Sequence, residues 1–360
     1  INKLNNDPNT NGFHQYVFSY LNFKIILKVI FNYIKLILKL ASFAKFKDSF
    51  KPDKSNICFW PLLKKDFINS IIGSKSIENI LWIELFDLAM KKIPHQKKGI
   101  YLQENQAWEK AFITSWKNYK HGKLMGLNNG FVRFWDTRFF DDSRTIEDSS
   151  DTAQPIPDQI ILCDRLSWNS YMEAGYPINK MLKAETIRYF DIIAKGSEKK
   201  NNFLDKKNKF NALILGDIFF KTTDNMIRNI EQSTNKENFN WTIKEHPACP
   251  LNIHNYKKVK LNECHDNLKD VISKFNIVIA SAATLSVFEA YLNDINIIIF
   301  LEKDELNLSP LKGFPEINVV YDLESMNKAL SKKNINNYIR KNDNFFWFDR
   351  KLVLWRKILI

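Results

Sequence analysis

The sequence predicts an α/β protein of two Rossmann-like domains with parallel sheets, on three observations. The chain has 360 residues, enough for two domains that each bury a core. From Ile160 onward, short apolar runs alternate with helix-spaced segments, the pattern of a parallel sheet covered on both faces. A Lys/Asn-rich stretch from Lys195 to Lys209 reads as a linker. We therefore expect one domain over 1–195, a second over 210–335 and a C-terminal helix over 336–360. The chain begins with Ile1 rather than Met, so the first domain is expected to be incomplete.

Composition narrows the classes of partner. Hydrophobic residues make up 45% and aromatics 14%, which suits a globular chain and not a disordered one. Lys and Arg number 53 against 40 Asp and Glu, a net charge of +13. Such an excess suits an anionic partner: nucleic acid, an acidic membrane surface or phosphorylated substrates. No zinc-finger spacing or aromatic RNA-binding motif accompanies it, so nucleic acid is set aside. Cys58, Cys163, Cys249 and Cys264 stand isolated. That spacing argues against a disulfide framework or a zinc site and for a reduced, cytoplasmic setting.

Along the chain, residues 15–46 are apolar and free of acidic side chains. Lys24, Lys28, Lys35 and Lys39, with Asn32, recur at helical steps and form one stripe. Four lysines oppose a span through hydrocarbon. The segment is expected either to lie in an anionic membrane surface or to be buried between other elements with its stripe in water. Residues 60–95 read as helical, 99–102 as a strand, 108–119 as a helix and 123–126 as a strand. The acidic, Pro-containing stretch 141–158 reads as a solvated loop. Further strands are expected at 160–163, 212–215, 241–244, 277–280, 295–300 and 319–321. Helices are expected from 164 to about Ala174-Gly175, from Thr223, over 268–275 and from Thr284 to Leu292.

In a parallel sheet, ligands bind beyond the carboxyl ends of the strands, and three stretches fall there. Lys244, Glu245, His246 and Pro247 end one strand. Pro247 stops it, leaving His246 either to donate to a phosphate or carboxylate or to be an idle turn residue. Ser281, Ala282, Ala283, Thr284, Leu285 and Ser286 join the next strand to its helix. Small residues let a phosphate approach the backbone N–H groups, although Ser and Thr are also ordinary helix caps. Glu289 beyond them could accept a ribose hydroxyl or simply face water. Gly216 and Asp217 end the domain's first strand, where Asp217 is either a catalytic carboxylate or a helix N-cap. In the N-terminal half, Glu104 at a strand end could act as a general base, with Asn105 and Gln106 beside it. Arg133, Asp136 and Arg138 mix charge with aromatic rings, which suits a sugar-binding wall or a buried ion-pair cluster.

Together these blocks resemble a family of bacterial surface-carbohydrate (O-antigen) biosynthesis proteins with a GT-B-like fold. The resemblance rests on Tyr101 to Glu109, the Arg133 to Arg138 run, Ala174 to Pro177 with Glu185 to Tyr189, Gly216-Asp217, and Lys244 to Pro250. It runs from about Trp60 to the end. It implies a metal-independent glycosyltransferase, without cofactor, that builds lipopolysaccharide O-antigen or capsule at the inner face of the bacterial inner membrane. Similar His-Pro and Ser/Thr blocks in transferases using CMP-linked Kdo, an acidic eight-carbon sugar, imply a cytidine-type nucleotide-sugar donor and a glycan acceptor. In that reading Asp217, Glu104 and His246 carry the chemistry. Lys244, Pro247, Ser281, Ala282, Thr284, Ser286 and Glu289 hold the donor, and Asn105, Gln106, Arg133, Asp136 and Arg138 face the acceptor. The chain has Asn128-Asn129 where the family pattern carries His, which puts that position's role in question. A hydrolysing nucleotide-sugar epimerase of the same fold, or a non-catalytic membrane-assembly protein, are the rival readings.

Overall fold

The computed structural model describes residues 5–6, 12–52, 55–128, 130–133, 135–142, 145–146, 153–195, 209–331 and 345–360, with backbone only at 41–45. Most of the expected linker at 195–209, residues 196–208, and part of the expected loop at 141–158 lie outside those residues. Two compact units emerge: residues 1–129 with 141–160, and residues 130–140 with 161–360. The boundary therefore does not fall at the linker. Residues 130–140 and 161–195 join the second unit because their side chains pack into its core, where Phe131 and Tyr189 lie beside Phe288.

The first unit opens with helix α1 (Phe23–Leu38), whose N-cap Asn22 accepts the Ile25 N–H. Helices α2 (Trp60–Ile72) and α3 (Ser74–Lys92) replace the single helical stretch expected over 60–95. Gly73 separates them in an extended conformation, where a Cβ would meet the Asn69 carbonyl at 2.5 Å. Strands β1 (Lys98–Gln103) and β2 (Lys123–Asn128) pair in parallel around helix α4 (Ala107–Asn118). Ala89, Met90, Tyr101, Ile113, Trp116 and Leu124 bury the joint. With β3 (Gln159–Leu162) and β4 (Met181–Lys183) they form a four-stranded sheet in the order β1-β2-β3-β4. Between β3 and β4 runs helix α5 (Arg165–Glu173), ending at Gly175, whose φ of +80° an L side chain rarely adopts.

The second unit continues with α6 (Phe190–Lys195), β5 (Phe210–Leu215), α7 (Phe220–Gln232), β6 (Phe239–Lys244), β7 (Leu261–Glu263) and α8 (Leu268–Val271). Then come β8 (Ile277–Ser281), α9 (Val287–Leu292), β9 (Asn296–Phe300), β10 (Asn318–Val320), α10 (Leu323–Ala329) and α11 (Val353–Leu359). Six parallel strands take the order β10-β9-β8-β5-β6-β7. Every residue of β8 and β9 is buried, as a sheet covered on both faces demands. One face packs against Phe288, Tyr291 and Phe345, the other against Met226, Ile227 and Met326. The strand order reverses between β5 and β8, so their carboxyl ends open the crevice where such sheets take ligands.

The helix expected over 336–360 is shorter. Residues 336–344 lie outside the described set, and Phe345 and Phe346 are buried in extended chain, with the Arg165 N–H donating to the Phe345 carbonyl at 2.7 Å. Helix α11 begins only after Leu352, at φ +52°. Glu185 holds its start: the Leu354 and Trp355 N–H groups donate to the carboxylate at 2.7 and 3.0 Å.

Candidate functional site

The reversal between β5 and β8 carries a polar cluster in an otherwise apolar sheet. Asp217 follows β5 and Ser281 ends β8, and both are buried. Ser281 Oγ donates to Asp217 Oδ2, while Asp217 Oδ1 accepts the Phe219 N–H at 2.8 Å. The Asp217 N–H donates to Thr223 Oγ1 at 2.8 Å. Thr284 Oγ1 lies 2.9 Å from Ser281 Oγ. Because the Ser281 proton is spent on Asp217, Thr284 must be the donor in that pair. The relay thus runs inward, Thr284 to Ser281 to Asp217, and Thr284 is left with lone pairs to accept from a ligand hydroxyl.

Helix α9 starts at Val287, not at the expected Thr284, and residues 282–286 form turns. Backbone bonds shape them: Ala282 N–H to the Phe300 carbonyl, Thr284 N–H to the Ser281 carbonyl, Phe288 N–H to the Leu285 carbonyl, and Glu289 N–H to the Ser286 carbonyl. Among the described residues no acceptor takes the N–H groups of Ala283, Leu285 or Ser286. Those donors suit an anionic oxygen.

His246 reaches the same end of the sheet because β5 and β6 pair with Leu215 opposite Lys244. Gly216 makes that approach possible. A Cβ there would stand 3.0 Å from the His246 nitrogen and 3.3 Å from the Glu245 Cα. Glu245 Oε1 accepts the Leu251 N–H at 2.8 Å and fixes the loop that follows. His246 Nδ1 accepts the Ala248 N–H at 3.2 Å. An acceptor nitrogen carries no proton, so Nε2 of the neutral ring does, and Nε2–H is the group offered outward. Pro247 is exposed beside it.

Glu289 stands on α9, its carboxyl raised above the usual range by burial, against the pull of Arg188, Lys244 and Lys269. Lys244 Nζ donates to the Asp266 carbonyl at 2.7 Å. On the other side, Glu305 is raised by burial and then by the charges of Glu302 and Asp217. The crevice end is therefore basic beyond β6 and α9 and acidic beside Asp217. The basic side suits phosphate and the acidic side a polyhydroxylated group. Sequence reasoning left Arg188 and Lys269 without a role. Arg188 lies inside the Glu185 to Tyr189 block, which was the available signal.

The Arg133 to Arg138 run is not part of the N-terminal unit, contrary to its expected place on an acceptor-side domain. The Phe131 and Phe288 rings lie tilted against each other with centroids 4.4 Å apart, and the Val132 N–H donates to Ser167 Oγ at 2.9 Å. Ser167 Oγ in turn donates to the fully buried Asp164, whose carboxyl burial pushes up to about 6. Arg133 then reaches the turn after Ser281, Nη1 donating to the Ala283 carbonyl at 3.3 Å. Asp136 is buried between Arg138, at 2.8 Å through both Nε and Nη2, and Arg133 at 3.4 Å. Those arginines hold its carboxyl below the usual range. The ion-pair cluster describes Asp136, while Arg138 remains half exposed.

In the first unit, Glu104, Asn105 and Gln106 form the turn between β1 and α4. The buried Glu109 carboxylate accepts all three of their N–H groups, at 2.9, 3.1 and 3.0 Å. Asn105 takes φ +54° in that turn. Glu104 itself is exposed, as a base that meets an acceptor must be. Asn128 ends β2 and is buried, and Asn129 lies outside the described residues.

No family model matches the chain, and no curated protein does. Solved structures match its fold. S. aureus MnaA, solved with UDP, superposes with a TM-score of 0.50 at 10% identity, over 78% of this chain and 77% of that one. CalG4, the calicheamicin glycosyltransferase, gives a TM-score of 0.50 at 10% identity, over 83% and 79%. The two parallel sheets of this chain therefore have the GT-B-like fold expected of it.

Proposed function

We propose that the chain is a glycosyltransferase that moves a sugar from a nucleotide-activated donor to a glycan acceptor in bacterial surface polysaccharide biosynthesis. The observation that carries this reading is the Thr284–Ser281–Asp217 relay across the strand-order reversal, with His246 Nε2–H at the same sheet end. As the bond from the anomeric carbon to the donor's phosphate oxygen breaks, its electron pair goes to that oxygen. His246 and the N–H groups of the turn after Ser281 stabilise the charge that gathers there. Lys244, Arg188 and the small residues around Ala282 draw the phosphate to the basic side, and Glu289 and Ser286 accept or donate at the nucleoside.

Both Asp217 oxygens already accept hydrogen bonds within the protein. That geometry supports a positioning and electrostatic role over direct attack on the sugar. Glu104 is the proposed base for the acceptor hydroxyl, and Arg138, half exposed and paired with Asp136, the cation of the Arg133 to Arg138 run proposed to meet a sugar. The cytidine-type donor, and Kdo as its sugar, follow from the sequence resemblance and stay part of the proposal, as does work at the inner face of the inner membrane.

Thermal shift with CMP, CDP, UDP and GDP tests the donor, since a ligand bound only by the folded state raises the melting temperature. The cytidine nucleotides should give the larger shift. A response to UDP or GDP alone would overturn the cytidine assignment, and no response to any nucleotide would overturn the transferase reading. Free sugar and nucleotide released at full rate without acceptor would point to hydrolysis instead.

A further inference from the structure

Helix α1 is neither sealed inside the first unit nor amphipathic in the ordinary sense. Ile25 and Val29 are buried against Leu85 of α3. Lys28 pairs with Glu84 at 3.1 Å, and Asn32 donates to the same carboxylate at 3.0 Å. That fixes which side of α1 faces its neighbour. At about 100° per residue, Lys24, Lys28, Lys35 and Lys39 form a band along one border of the buried face. The opposite arc should then be polar in a helix that ends at water. It is instead apolar: Phe23, Leu27, Ile30, Phe31, Ile34 and Leu38 are each between 51% and 78% exposed.

We infer that this face of α1 is the surface by which the protein lies on an anionic lipid bilayer. Charge decides the occupant. No Asp or Glu occurs from residue 8 to residue 47, and Lys24, Lys35 and Lys39 are exposed along the apolar arc. Aliphatic and aromatic side chains enter the acyl boundary, while lysines bordering them reach anionic headgroups. A second copy of the chain fits poorly, because a two-fold pairing of this face would set one lysine band beside another of the same sign. Insertion across the bilayer is also a poor fit. The helix has 16 residues, about 24 Å at 1.5 Å per residue, against a hydrocarbon core of about 30 Å. No described helix is long and apolar enough to cross a membrane. The inference rests on the first unit alone and stands apart from the transferase reading.

Vesicle flotation of the full chain tests it, using phosphatidylcholine alone and phosphatidylcholine mixed with phosphatidylglycerol. The mixed vesicles should capture the protein and release it at high salt. Lys24→Gln/Lys35→Gln/Lys39→Gln should weaken capture on the order of a hundredfold, at about fivefold per lysine. Lys28 is left in place because of its bond to Glu84. Leu27→Asp/Phe31→Asp should abolish capture while leaving the circular dichroism spectrum and melting temperature unchanged, because both side chains are exposed. Equal capture by neutral and anionic vesicles would overturn the inference, as would no capture at all. So would a dimer in sedimentation that Leu27→Asp/Phe31→Asp dissolves. Nucleotide-induced thermal shifts, read on the same variants, should stay as in the wild type, so failure here is distinguishable from failure of the transferase reading.

Discussion

Replacing Asp217 by Asn reverses the direction of a hydroxyl relay while barely changing its shape. The amide oxygen can still accept the Phe219 N–H in place of Oδ1. The amide nitrogen then faces Ser281 Oγ, where two donors would collide unless the hydroxyl turns. Ser281 can turn: it accepts from the amide and donates to Thr284, which now donates outward instead of accepting. Two bonds lose their charge assistance, worth about 1 kcal/mol each, and part of that is offset because a buried carboxylate no longer has to be desolvated. A net loss of about 1 kcal/mol would lower the melting temperature by about 2–4 °C. Asp217→Ala, by contrast, leaves the Phe219 N–H without its partner while Ser281 turns to donate to Thr284, and should cost about 1–3 kcal/mol.

The functional readout moves the other way. A sugar hydroxyl that donates to Thr284 in the wild type must turn and accept from it in Asp217→Asn, with the carboxylate charge behind the relay gone. A misalignment worth about 0.5–1.5 kcal/mol slows transfer about two- to tenfold. Nucleotide affinity should hold, since the turn N–H groups and His246 are untouched. Scanning fluorimetry gives the stability and nucleotide terms, and mass spectrometry of the product glycan gives turnover. Near-normal turnover in Asp217→Asn would refute the relay. An unchanged melting temperature in Asp217→Ala would refute the bonds themselves.

Other perturbations follow from the same contacts. Gly216→Ala should shift the backbone at His246 by a few tenths of an ångström, since the new Cβ would stand 3.0 Å from its backbone nitrogen; nucleotide-induced thermal shift should shrink, at a stability cost of about 1–3 kcal/mol. Glu185→Gln should loosen α11 by weakening two charge-assisted bonds to its N–H groups, read as earlier C-terminal cleavage in limited proteolysis. Glu104→Gln should slow transfer with an unchanged thermal shift by donor nucleotide. Burial raises the Asp164 carboxyl to about 6 from 3.8, so the folded state binds its proton more tightly than the unfolded chain. This group therefore favours folding at low pH and loses that advantage as pH rises through about 6. Relative to Asp164→Asn, the wild type should be about 2 kcal/mol more stable at pH ~4.5 than at pH ~7.5, measured by urea unfolding; a constant difference would refute it.

The alternation after Ile160 was legible because strands such as β8 and β9 are buried on both faces, and only continuous apolar runs serve there. Strands β4 and β7 were not legible. Each has three residues, with Lys183 in one and Asn262 and Glu263 in the other, and their pairing neighbours define them rather than their own composition. The break at Gly73 was missed because periodicity continues across it; one glycine in a non-helical conformation divides two helices of the same pattern. For α1 the lysine period was correctly read as a stripe, but which face a stripe borders depends on a partner, here Glu84, that lies 56 residues later in the chain than Lys28.

In this molecule three buried carboxylates, two of them inside the recognisable sequence blocks, hold backbone N–H groups. The most distinctive block, Tyr101 to Glu109, owes its pattern largely to Glu109, a buried carboxylate that gathers three backbone N–H groups into one turn. Glu185 does the same for the start of α11, and Asp164 for α5 and, through Ser167, for the Val132 N–H. Such carboxylates tolerate little change, because losing one leaves several buried donors unpaired at once. That backbone role by itself accounts for the place of Glu109 and Glu185 in the recognisable sequence blocks. The groups with capacity to spare are elsewhere: the Nε2–H of half-buried His246, the lone pairs of Thr284, and the N–H groups of Ala283, Leu285 and Ser286. They sit in short, ordinary-looking stretches. It was their position at the carboxyl ends of β6 and β8, on either side of β5 where the strand order reverses, and not their residue types, that made them candidates.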